Sequence, residues 1–474
     1  MPWELKFKRR GNKVKKMLMA KILAGLLCLG LLVSVSLFTG PESDARLAEA
    51  AAPQPRNVIF FHPDGYGLSH WDALRTRFVG PDGRLNWDRL PYIATYTGHM
   101  RDRVVGTSHG GATTHAWGVK VVADSFGLDE DRPITALSSQ QMSIMQEAVR
   151  AGFATALIQT GSLTEPGTAA FVASVQERGN HDEIARQTIE SGVDVILGGG
   201  ERALLPSGVM GRHGAGGRGD GLNLIQRAKE LGYTVVYTRE ELLALPPTAT
   251  RVLGVFAHWH TFNDKTEEAL RAAGLPLYVP TAPTVAEMSR AALEILSRNP
   301  RTAARGFFMV SEEEGTDNFP NATNAPGSFE AGRRADEAFG VYREFVRRNP
   351  RTLLLTAADS SAGSKNIVDW RGTVAEPGHV VGKGPVNSGP DGRFVYAPFD
   401  GVDGAGTAPF VSAPDRTGTT FPFAVAWAFR WDLAGDILVR AEGLGAGRVR
   451  ELGVVDNTDI YRLMYLTLFD RWLP

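Results

Sequence analysis

Cysteine is almost absent. Cys28 is the only one in 474 residues, which excludes a disulfide within the chain and any cysteine-built metal cluster. Charge of one sign is missing too. Fifty-one Lys and Arg face 52 Asp and Glu, a formal net charge of -1, so the chain has no nucleic-acid-binding signature. Long apolar runs are confined to residues 22–38. Histidine is scarce, with ten in the whole chain. There is no internal repeat and no low-complexity tract. Apolar residues at 43% and charged residues at 22% are what a large globular domain needs to bury a core.

The N-terminus departs from this balance. Residues 1–50 carry nine Lys and Arg against four Asp and Glu, leaving 42 against 48 beyond them. The basic residues precede the apolar run 22–38, and a polar stretch then leads to the small residues around Ala50. This order reads as an export signal cleaved after Ala50. Seventeen apolar residues are also the lower limit for a membrane span, so a retained N-terminal anchor is the alternative. Met17 competes with Met1 as the start, because the basic region before it is long. Leu27 precedes Cys28, which makes it a poor lipidation site. The expected location is periplasmic or extracellular, with membrane contact only through an uncleaved N-terminus.

Residues 56–62 form a short apolar run closed by Pro63, Asp64 and Gly65, the pattern of a strand buried on both faces. Similar runs occur at 153–159, 193–197, 234–237, 252–257, 306–310 and 352–356. Amphipathic stretches at 141–151, 183–191, 222–231, 285–297 and 329–348 lie between them. The alternation predicts an α/β fold: a doubly wound, mostly parallel sheet with helices on both faces. Residues 423–429 are expected to add a late strand, and Asp456 to cap a terminal helix over 456–473. Two stretches break the rhythm. Residues 206–220 are Gly-rich and predict a mobile loop. Residues 363–416 are rich in Gly and Pro and read as a loop-rich insertion in a catalytic domain spanning 51–474.

Ligands of an open parallel sheet bind beyond the carboxyl ends of its strands. Acids follow several expected strands: Asp64 after the first, Glu165 after 153–159, Glu312, Glu313, Glu314 and Asp317 after 306–310, and Asp359 after 352–356. Each alone reads as a loop acid or a helix cap. Together at one edge they would repel one another unless cations separate them. The segment 105–120 adds a hydroxyl, Thr107 or Ser108, before an Ala-rich stretch. A hydroxyl there is either a helix N-cap or a nucleophile facing an anion.

These residues resemble the metal-dependent alkaline phosphatases of the bacterial and animal type, from about Asn57 to Phe469. Residues 57–65 are similar to that family's first strand, whose Asp bridges two metals. The segment from Ser108 to Gly118, Val119 and Lys120 matches the nucleophile segment without a gap. Residues 169–178 resemble the segment ending in a phosphate-clamping Arg. Residues 193–200 are similar to a further strand, Glu312 and Asp317 have the spacing of two metal acids, and 356–359 resembles the strand end carrying another. The resemblance implies Ser108 as nucleophile, Arg178 as phosphate clamp, and Asp64, Glu312, Asp317 and Asp359 as metal ligands.

The departures concern histidine. Asn321, Ser360 and Arg416 stand where the family carries its three zinc histidines, and Gly167 stands at a magnesium-site hydroxyl. Thr168 or Glu165 could substitute for that hydroxyl. His109, His258 and His260 are the candidate replacement imidazoles, whereas His62 and His379 read as weaker ones. With oxygen ligands remaining, Mg²⁺, Ca²⁺ or Mn²⁺ is favoured over Zn²⁺. A guanidinium at Arg416 would repel a cation and is expected to contact phosphate instead. The implied function is an exported phosphomonoester hydrolase acting on small phosphorylated substrates through a phosphoserine. A phosphodiesterase or sulfatase-like hydrolase and a silent binding homologue are the alternatives, and a homodimer stays open.

Overall fold

The short apolar runs become strands of one sheet. In chain order these are β1 (Asn57–Pro63), β2 (Tyr92–Thr97), β3 (Ala154–Ser162), β4 (Val195–Gly199) and β5 (Thr234–Val236). They continue as β6 (Val252–Val255), β7 (Phe307–Glu313), β8 (Thr352–Thr356), β9 (Leu438–Gly443) and β10 (Val454–Asp456). The computed structural model describes residues 54–369, 399–401 and 408–474. Across the sheet the order is β10-β2-β9-β8-β1-β7-β3-β4-β6-β5. Neighbours are parallel except where β9 runs antiparallel to β8 and β2. The expectation of a mostly parallel α/β sheet is met. The pairing of β2, β9 and β10 adds an edge that their mixed composition did not announce.

Strand β1 sits near the middle and is buried throughout its apolar part. Side chains alternate across a strand, so Val58 and Phe60 join one core cluster and Ile59 and Phe61 the other. On the Phe60 side lie helix α1 (Ser108–Trp117) and the terminal helix Asn457–Phe469, which contribute Trp117 and Ile460. On the Phe61 side lie α2 (Val285–Arg298) and, later in the chain, the helix Ala325–Arg348. Phe61 meets Phe339 and Tyr342 edge-on at 4.9 and 5.2 Å between ring centroids. Its complete burial contributes roughly 1.5–3 kcal/mol.

Local chemistry sets the helix ends. Thr284 and Glu287 form a reciprocal capping box on α2. Asp456 caps the terminal helix in the same way with Asp459, as the sequence predicts. The Gly-rich stretch 206–220, expected to be a mobile loop, is instead pinned. Buried Arg218 donates to the carbonyls of Asp182 and Ala203 and pairs with Asp220. The stretch 363–416 is not loop throughout. Strands Lys365–Asp369, Phe399–Asp400 and Phe410–Val411 pair with Pro422–Trp427, the expected late strand, in a separate small sheet. Residues 370–398, His379 included, residues 402–407 and the N-terminal signal or anchor lie outside the described residues. From Pro55 onward the chain forms one unit. Among the described residues no helix is long and apolar enough to cross a membrane.

Candidate functional site

Parallel pairing brings the strand ends together. His62 on β1 is in register with Glu312 on β7, and Glu312 is in register with Gln159 on β3. Two-residue alternation puts all three on the Phe60 side of the sheet, continuing the rows that begin at Phe60, Val310 and Leu157. Asp64 follows β1 and Asp359 follows β8, so both reach the same edge. Gly65 then turns the chain at φ 61°, where a Cβ would meet the Asp317 carboxylate at 2.5 Å. Helix α3 (Gly315–Asn321) starts two residues beyond β7 and delivers Asp317.

Ser108 is the first residue of α1. Thr107 is its N-cap, accepting from the Gly110 amide at 3.2 Å and donating to the Ala123 carbonyl. Thr107 thus holds the helix, while Ser108 stands near enough to Asp64 to favour its ionised form. Gly111, one turn on, packs so closely on Asp359 that a Cβ there would lie 2.6 Å from the Asp359 Cβ.

Around this point the acids are buried and short of partners. Asp64, Glu312, Glu314, Asp317 and Asp359 are each at most 7% exposed. Asp64 Oδ2, Glu312 Oε1, Glu314 Oε2, Asp317 Oδ1 and Asn321 Oδ1 make no hydrogen bond. Burial and the Asp64 charge push Glu312 up to about 8. Burial also drives Glu314, Asp317 and Asp359 well above the usual carboxylate range, aided by their negative neighbours. Asp64 moves the other way. Burial works to raise it, but its polar neighbours Asp359, His62 and Ser108 together hold it well below its usual value.

Such a cluster is costly unless a cation neutralises it. The donors fit one. His62, Asp64 and Glu312 offer ligand atoms within 4.8 Å of one another, and so do Asp64, Glu314 and Asp317. Asp64 belongs to both groups. Gly167 completes the cradle: its missing side chain leaves the space that the Glu312 carboxylate occupies. That glycine stands where the resemblance calls for a hydroxyl, so the acid fills the gap that the substitution opened. Gln159 donates to Glu312 Oε2 and, at 3.4 Å, to Thr168 Oγ1. Thr168 is therefore one contact removed from the acids.

The other expected residues divide. Arg178 pairs with Glu165 at 2.8 Å and lies in the field of Glu314, Asp317 and Asp64. Asn321 donates to Asp317 at 2.9 Å, and Ser360 lies beside Asp432. His109 contacts Asp124 at 3.5 Å, and its pKa is pushed down to about 4 by burial and the Arg178 charge. His260 accepts from the Ser162 amide and stacks on Phe262, near Glu165 and Asp264. His258 is exposed and bonds the Ala215 carbonyl. Neither His258, His260 nor His109 falls in a metal-ligand group. Arg416 does not stand with the acids in this structure. Its side chain is 78% exposed and bound to Asp82 in a surface turn, where the expected contact with phosphate is not made.

Sequence reasoning undervalued His62 and did not single out Glu314 or Asp432. His62 had a readable signal, since it lies two residues before Asp64 and thus on the same strand face. Asp432 had none: it reaches Asp317 because the short strand Asp432–Leu433 pairs with Ser361–Ala362, just past Asp359.

The family model for alkaline phosphatase matches residues 55–468. The chain belongs to the alkaline phosphatase family. It is 27% identical to alkaline phosphatase of Escherichia fergusonii over 69% of this chain and 75% of that one. It is 28% identical to streptomycin-6-phosphate phosphatase of Streptomyces griseus over 90% and 93%. Among solved structures, Thermus thermophilus alkaline phosphatase superposes with a TM-score of 0.65 at 26% identity, covering 88% of this chain and 92% of that one. Membership and relatives together support a phosphatase-type hydrolase.

Proposed function

We propose that the chain is an exported, metal-dependent phosphomonoester hydrolase that acts through a phosphoserine at Ser108. The observation that carries this reading is the meeting of Ser108 with Asp64 inside a cluster of buried acids with unpaired oxygens. Asp64, Glu312 and Asp359 would hold one divalent cation, and Asp64, Glu314 and Asp317 a second. Bound there, the cations lower the pKa of an adjacent hydroxyl and neutralise charge on the transferring phosphoryl group. Ser108 stands beside Asp64, close to the cations the acids would hold. The Ser108 hydroxyl loses its proton to solvent as the Oγ–P bond forms and the ester P–O bond breaks, the departing alkoxide takes a proton from solvent, and water then cleaves the Oγ–P bond, giving inorganic phosphate and returning a proton to Ser108. Arg178 clamps phosphoryl oxygens with two N–H groups. The basic-then-apolar order of residues 1–38 supports export.

The test is metal content of the purified protein together with hydrolysis of an aryl phosphomonoester, an aryl phosphodiester and an aryl sulfate. Mg²⁺, Ca²⁺, Mn²⁺ and Zn²⁺ are each added in turn. Monoester turnover that chelator abolishes is the expected result. Preference for the diester or the sulfate would replace this reading with the corresponding esterase.

A further inference from the structure

Three imidazoles are missing from the positions where the resemblance expects them, yet a buried imidazole stands inside the acid cluster. His62 Nε2 lies 3.1 Å from Asp64 Oδ1, 3.8 Å from Asp359 Oδ1 and 4.0 Å from Glu312 Oε1. The ring is 1% exposed. Its other nitrogen, Nδ1, is 2.9 Å from the Ala357 carbonyl oxygen. A carbonyl only accepts, so Nδ1 carries a hydrogen, and Nε2 is the nitrogen that faces three carboxylates: without a cation it holds a proton shared with Asp64, and a cation that displaces that proton meets its lone pair. One imidazole nitrogen and carboxylate oxygens converging on one point are the arrangement a proton or a cation resolves. A metal-ligating histidine usually donates its other ring N–H to a carboxylate, a backbone carbonyl or water, which fixes tautomer and ring plane. The carbonyl used here sits two residues before Asp359, so one strand end both orients the ring and delivers an acid.

We infer that His62 Nε2 is a direct ligand, with Asp64 and Glu312, of a divalent cation at the carboxyl end of β1. The inference rests on the metal-site reading above. Ligand atoms about 2.1 Å from a common centre lie about 3.0–3.5 Å apart, so Asp64 already has the right separation and Glu312 needs a small side-chain shift. Glu312 Oε1, the atom nearest His62, is fully buried and has no hydrogen-bond partner. Gly167 is what lets the carboxylate lie this close to His62, since a Cβ there would meet Glu312 Oε1 at 1.8 Å. The nitrogen changes the preferred ion. An imidazole among carboxylates suits Mn²⁺ and Zn²⁺ better than an oxygen-only cage does, and it weakens the case for Ca²⁺. His115 is the nearest other imidazole at 5.8 Å between ring centroids, and its Nε2 is engaged by the Tyr96 hydroxyl at 2.8 Å.

The experiment uses the full-length protein, stripped with chelator and loaded with Mn²⁺. Pulsed electron paramagnetic resonance detects a nitrogen bound to the ion. The expected result is ¹⁴N modulation in the unaltered protein, replaced by the ¹⁵N pattern when histidine alone is labelled. His62→Gln should abolish the modulation and weaken Mn²⁺ binding at least tenfold, while His115→Gln and His109→Gln keep the modulation. The labelled unaltered protein reports even if a variant fails to fold. Tight Mn²⁺ binding with no nitrogen modulation, or a modulation that survives in His62→Gln, would overturn the assignment and leave the metal site standing. Failure to bind Mn²⁺, Mg²⁺ or Zn²⁺ at all would overturn the metal-site reading along with it.

Discussion

Stripping the metal should turn the acid cluster into a pH-dependent liability. Glu312 rises from 4.5 to about 8 in the folded chain, chiefly through burial. Between those values the folded state binds a proton that the unfolded state has released, so stability falls as pH rises. Each pKa unit is worth about 1.4 kcal/mol, which makes the Glu312 contribution on the order of 5 kcal/mol by pH 9. Glu314, Asp317 and Asp359 shift in the same direction. His62 is also raised: burial opposes its charge, but the Asp64 hydrogen bond and the Asp64 and Glu312 charges outweigh burial. Its contribution is likewise lost as pH rises through the folded value. Asp64 is depressed, so its contribution disappears only in acid, below the window considered. The assay is urea unfolding with chelator present, at pH 5.5 and pH 9. About 2.5 of those units lie above pH 5.5, about 3.4 kcal/mol, so with a denaturant slope of about 3 kcal/mol per molar the midpoint should fall by about 1 M at pH 9. Excess Mg²⁺, Mn²⁺ or Zn²⁺ should restore it, because a ligand that binds only the folded chain stabilises it. Equal midpoints at the two pH values in chelator, or no response to cation at pH 9, would refute the electrostatic account of the cluster.

Three further outcomes follow from the same geometry. Ser108→Ala should remove nearly all monoester turnover, while Thr107→Ala should keep much of it and lose about 1 kcal/mol of stability with the N-cap, read by urea unfolding. Gly167→Ala should displace the Glu312 carboxylate and lower Mn²⁺ affinity at least tenfold by titration calorimetry; unchanged affinity would remove Glu312 from the ligand set. Arg416→Ala should leave turnover and KM within twofold, since the side chain is held by Asp82 at the surface; a large loss would mean that the turn swings inward during the reaction.

The sequence by itself determined the sheet class and most of the site. Continuous apolar runs such as 56–62 can be buried only on both faces, which forces parallel strands covered by helices. An acid placed just after such a strand must then arrive at the carboxyl edge, and that alone gathers Asp64, Glu312 and Asp359. The gapless segment from Ser108 to Lys120 singled out the nucleophile candidate over Thr107, and Thr107 caps the helix. What the sequence could not decide is which side chains meet across distant strands. The match at Arg416 gave a position in a motif, but the direction of a loop side chain depends on what lies beside it, and Asp82 was there. Asp432 entered through a two-residue strand pairing too short to leave a pattern. His62 needed the register of β1 against β7, because only pairing with Glu312, Gln159 beyond it and the Ala357 carbonyl behind it turn a strand-end histidine into a fixed ring nitrogen among acids. Burial pattern is local and repeats every two or 3.6 residues, so a sequence can carry it. Register and loop direction are set by contacts between residues hundreds apart, and only the folded chain contains them.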